Sequence, residues 1–168
     1  MFRQILAGLE ALDADVAFLC EHDCVYPPEH FTFRPSRSGR FYYNQNVWRV
    51  NVETGQAVTY DMMSVSGCCA NRRLLRDYYR KVVSEVEEKG YDHRRGYEAG
   101  KAEGLAVGWR SEVPYLDLRH GTNLTASRWT PDEFRDKNTC QNWREADEIP
   151  GWGRPKDRFR DWLTEIRG

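Results

Sequence analysis

The sequence predicts an α/β fold, a mixed sheet flanked by helices, and three observations carry that expectation. Residues 16–20 form a short, wholly apolar run that ends abruptly in charge. Residues 41–52 are dense in aromatic and β-branched types, as strands are. Residues 71–89 repeat apolar side chains at the spacing of one helix face. At 168 residues the chain is long enough to bury a core, so a single domain over 1–168 is expected.

Taken in order, the elements follow from local pattern. Phe2, Ile5, Leu6, Leu9 and Leu12 share a helical face, and Asp13 and Asp15 end it. The run 16–20 lacks polar alternation, which predicts a strand buried on both faces, as in a parallel sheet. It leads into Glu21-His22-Asp23, and Pro27-Pro28 then stops any regular element. Residues 34–40 are a polar, turn-rich loop. The run 41–52 is one long or broken strand; residues 53–56 turn and 57–60 return, making a hairpin. Residues 64–70 are mostly small, which allows close backbone approach. The helix of 71–89 has Leu74, Leu75, Tyr78, Tyr79, Val82, Val83 and Val86 on its apolar face and Gly90 as C-cap. Residues 91–110, with four glycines, predict a long loop. Residues 113–118 predict a short strand leading to Arg119-His120-Gly121. Thr130-Pro131-Asp132-Glu133 has helix-start chemistry, and a last short helix is expected over about 156–166.

Composition narrows the class. Hydrophobic residues make up 40% and charged residues 30%, as in soluble globular proteins. A net charge of −1 gives no basic footprint for nucleic acid. No apolar run is long enough to span a membrane, and the first ten residues carry charges where a signal peptide is apolar; a cytoplasmic protein is expected. The five cysteines contain no paired CxxC motifs, and Cys20, Cys68 and Cys69 read as small core residues. Six Trp and nine Tyr are enough to line a sugar or nucleotide pocket as well as a core.

Chemistry concentrates at Glu21-His22-Asp23. In an extended chain Glu21 and Asp23 point to the same side, where two carboxylates can hold a divalent cation; the alternative is a charged turn leaving the core. His22 points the other way and reads as structural.

The order of strand, acidic triplet, aromatic strand, small-residue turn, long helix and distant His resembles the GT-A class of nucleotide-diphospho-sugar transferases, family-2-like glycosyltransferases in particular. Glu21-His22-Asp23 stands where that class carries its DxD-type motif, Ser66-Gly67-Cys68-Cys69-Ala70-Asn71 resembles its glycine-containing turn into a helix, and His120 matches its late histidine. The resemblance covers about residues 1–125 as a GT-A-like core, leaving 126–168 as a C-terminal extension. It implies a Rossmann-related sheet, a divalent metal (Mn²⁺ or Mg²⁺) held by Glu21, Asp23 and His120, and a nucleotide-diphosphate sugar as donor. Arg119 would then suit phosphate oxygens, and Gly121 would allow their close approach. Members of the class carry further βα units ahead of the acidic motif, whereas twenty residues precede Glu21 here. A fragment or a reduced version of the fold is therefore expected, or another chain supplying the missing half, with an exposed sheet edge that a homodimer or a partner chain would complete.

Transfer to an acceptor hydroxyl needs a base. Glu98, on the glycine-rich loop, is the candidate, with Asp61 and Asp117 as rivals and a solvated loop charge as the plain alternative. Trp48, Trp109 and Tyr97 suit either sugar stacking or the core. Two other functions fit the pattern: a non-catalytic relative that binds a saccharide or a protein through aromatic surfaces, and a metal-dependent phosphoester hydrolase.

Overall fold

The computed structural model describes residues 1–92, 96–120 and 134–159. They form a mixed α/β structure with two mixed sheets and few helices. In chain order the strands are β1 (Val16–Phe18), β2 (Cys24–Val25), β3 (Phe41–Asn44), β4 (Val47–Asn51), β5 (Ala57–Thr59), β6 (Cys68–Asn71), β7 (Ala106–Trp109), β8 (Tyr115–Arg119) and β9 (Arg144–Glu145). The helices are α1 (Phe2–Ala11), α2 (Arg72–Lys89) and α3 (Pro155–Arg158). None of the described helices is long and apolar enough to cross a membrane. The chain divides into two compact units, the first from residues 1–21, 32–44 and 63–109, the second from 22–31, 45–62 and 110–168.

In the first unit the strand order is β1-β6-β3-β7. β6 runs antiparallel to both β1 and β3, and β3 is parallel to β7. The small residues of 64–70 form a 3₁₀ turn, Val65–Gly67, and then the central strand β6, whose Cys68, Cys69 and Ala70 are fully buried between two neighbouring backbones. α1 packs on α2, and Leu75 and Tyr79 of α2 close the core against Phe41 and Tyr43, with Val82 also buried. Asn71 caps α2, its side-chain oxygen accepting from the amides of Arg73 and Leu74 at 3.0 and 3.3 Å. Gly90 ends α2 as expected, in a left-handed conformation with its amide on Val86.

Three expectations need correction. β1 is antiparallel to β6 and has that single strand neighbour among the described residues, with Ala17 buried and Val16 and Phe18 only half-buried. A three-residue strand flanked by Asp15 and Glu21 is too short to sink both faces, because the flanking carboxylates stay at water. For the same reason Cys20 is exposed rather than in the core. The expected long loop also ends in a strand, β7, whose Gly108 and exposed Val107 weaken the strand pattern.

In the second unit the strand order is β2-β8-β4-β5-β9. The run 41–52 is indeed broken: Gln45-Asn46 separate β3 from β4, and the two strands join different sheets. The expected hairpin is β4–β5. Trp48, Val50, Ala57, Leu116 and Leu118 present one sheet face to Ile149 and Phe159. Segment 136–153 is fastened by polar ties: Asp61 accepts from Arg110 and from Asn142, and the Trp152 indole donates to the Pro114 carbonyl at 2.7 Å. The helix start at 130–133 and the positions Trp162, Leu163 and Ile166 lie outside the described residues.

Candidate functional site

The triplet turn follows from where β1 stops. Leu19 still donates its amide to Cys68, after which the chain leaves the ladder, turns at His22-Asp23 and re-enters a sheet as β2. Within this short stretch Glu21, Asp23 and Cys24 each offer one ligand atom, and these atoms lie within 4.8 Å of one another. The Cys24 thiol stands 4.0 Å from an Asp23 carboxylate oxygen. The Asp23 carbonyl accepts from the Leu118 amide at 2.8 Å, so the backbone under the carboxylate is pinned to β8. Glu21 is exposed, while Asp23 and Cys24 are half-buried. Two carboxylates suit a hard divalent ion such as Mn²⁺ or Mg²⁺, and the thiol adds a softer donor that Mg²⁺ does not favour. His22 is exposed.

The other sequence-derived candidates are dispersed. His120 is buried just past β8, at the end of the β2–β8 pair that carries Asp23, but it is not a member of the Glu21–Asp23–Cys24 group. Arg119 ends β8 and lies 5.1 Å from the Phe134 ring centroid. Gly121 lies outside the described residues. Glu98 is half-buried, and one of its oxygens accepts from the Tyr97 amide at 3.2 Å. Glu98 and Glu21 have one neighbour in common. The Tyr79 hydroxyl, buried and without a hydrogen-bond partner among the described residues, is held well above its usual pKa by burial first, then by Cys68, Tyr78, Glu98 and Glu21. The Cys68 thiol beside it is pushed up to about 12 by burial, which keeps it protonated and unreactive. Asp61 has its oxygens on Arg110 and Asn142, an occupation that suits a clamp better than a base.

A cation that sequence reasoning passed over lies on the second unit's sheet. Arg49 in β4 pairs in register with Asp117 in β8, and Asp117 with Cys24 in β2, so the three form one row across the face opposite the apolar core. Arg49 is 1% exposed. Its guanidinium stacks 3.9 Å over Tyr60, and its Nε stands 3.9 Å from Asp117. Burial raises the Asp117 carboxyl above its ordinary value, with Asp23 adding to the rise, while Arg49 and Arg119 oppose it. The available signal was a lone charge in mid-strand, Val47-Trp48-Arg49-Val50, where alternation predicts a partly buried position.

No protein-family model, no curated protein and no solved structure matches this chain.

Proposed function

We propose that this chain is a metal-dependent glycosyltransferase of GT-A type that moves a sugar from a nucleoside-diphosphate donor to an acceptor hydroxyl. The observation supporting it is the convergence of Glu21 and Asp23, with Cys24, within 4.8 Å on the turn that follows the first strand. Glu21 and Asp23 would hold the cation, which when bound supplies charge neutralisation to the departing diphosphate. The Asp23 carbonyl accepts from the Leu118 amide, which fixes the backbone from which the carboxylate projects. Arg119 adds positive charge near the same end of the sheet, and Glu98 is the group assigned to take the acceptor's proton.

Calorimetric titration tests the metal reading. Mn²⁺ is expected to bind the wild-type chain and to strengthen binding of at least one nucleoside diphosphate, and the melting temperature should rise with both present. Asp23→Asn should weaken the metal-linked nucleotide binding by about tenfold or more, the range of one lost charged ligand. If no nucleoside diphosphate shifts melting with or without Mn²⁺, the proposal fails.

One observation favours a second reading, a non-catalytic saccharide binder. Tyr97 is 41% exposed and stacks on Tyr91 at 5.6 Å, with Phe2 completing an aromatic cluster on the first unit. In that case Asp23→Ala leaves oligosaccharide binding intact and Tyr97→Ala abolishes it.

A further inference from the structure

Arg49 uses its face and leaves its edge unused. The Tyr60 ring covers the guanidinium plane at 3.9 Å, and Trp143 stacks on Tyr60 in turn at 5.2 Å with an interplanar angle of 1°. The Tyr60 contact restrains the guanidinium from one side. Among the described residues, neither Nη1 nor Nη2 has a hydrogen-bond partner, although both are buried. Among the described residues the carboxylate paired with the group, Asp117, stands 3.9 Å from Nε, beyond hydrogen-bond range. A buried guanidinium with two unpaired donors is a costly arrangement unless an acceptor fills the fork. The geometry left open, two parallel N–H groups in a fixed plane, is the one that matches a carboxylate or phosphate bidentately. The Asp117 side chain beside the group is 30% exposed.

We propose that Arg49 is an oxyanion-binding residue whose two terminal nitrogens take a carboxylate or phosphate group of a ligand. Two strand spacings, about 10 Å between backbones, separate Arg49 from Cys24. The inference does not depend on the metal reading, and its test is made in EDTA.

The guanidinium resonances of Arg49 in the full chain are followed by nuclear magnetic resonance while inorganic phosphate, and separately D-glucuronate, is added. The expected result is a saturable shift with one of the two, which also says whether the ligand group is phosphate or carboxylate. Arg49→Met, which keeps the stem's volume, should weaken that binding by about tenfold or more. Arg49→Lys, which keeps charge but loses the fork, should fall nearly as far. No saturable shift with either anion overturns the proposal, as does equal affinity in Arg49→Met. If the variants do not fold, the wild-type titration alone decides.

Discussion

His30 shows how a single buried group sets acid sensitivity. It is fully buried in the second unit among Tyr26, Phe31 and Tyr115, with ring centroids 4.7–5.5 Å away. Burial lowers its pKa from 6.5 to about 4. Below pH 6.5 the unfolded chain therefore takes up a proton that the folded chain refuses. Stability falls as the pH drops from about 6.5 and levels off near 4, by about 3 kcal/mol at the limit. His30→Phe should flatten that part of the profile. Urea midpoints of the two proteins between pH 4 and 7 check this, and parallel profiles would contradict it. At this scale the sequence was partly readable. The acidic turn was visible because carboxylates two apart on a strand end are a local signal. Arg49 was not, because its meaning lies in partners 11 and 68 residues away, Tyr60 and Asp117. His120 was singled out from its place late in the chain, but a ring nitrogen's reach depends on tertiary placement that spacing does not encode.

Elements were more readable than residues, and the reason is locality. α1, α2 and the β4–β5 hairpin formed as expected because caps, turns and apolar faces act within a few residues. The Asn71 cap is such a local device. Asn71→Ala removes the acceptor for two amides and should lower stability by about 1 kcal/mol, read from the denaturant midpoint. What stayed hidden was partnership between strands. An apolar run reads the same whether its neighbour is parallel or antiparallel, so β1 was expected to be doubly covered and lies against β6 alone among the described strands. Two glycines test how context decides the same substitution. Gly8 lies exposed in α1 with open space around a would-be Cβ, so Gly8→Ala should stabilise by about 0.5–1 kcal/mol through helix propensity. Gly100 has φ +72° and its would-be Cβ meets the Phe41 ring, so Gly100→Ala should destabilise by about 2 kcal/mol or more. Thermal melts of the pair should move in opposite directions; two shifts of the same sign would contradict the packing described around Gly100.

For the whole molecule, the informative feature is how the two units share one chain. Their cores have no residue in common, one built on Phe41, Tyr43, Leu75 and Tyr79, the other on Trp48, Val50, Leu116 and Leu118. Yet neither unit is a continuous piece of sequence. β3 runs into β4 across Gln45-Asn46, and β7 runs into β8 across five residues, 110–114. In the first unit β3 pairs parallel with β7, and in the second β4 pairs parallel with β8. The same two chain segments thus enter a parallel ladder in each unit, and a ladder at one end of a short connection restrains the strands at the other. Losing either ladder returns the loop-closure entropy that the other must then bear alone. The expectation is a single unfolding transition despite two cores. Leu75→Ala in one core and Leu118→Ala in the other should each cost about 2–5 kcal/mol and move the whole transition, as followed by both Trp fluorescence and far-ultraviolet circular dichroism. A biphasic curve in which each substitution moves only its own half would show that the shared strands do not couple the units.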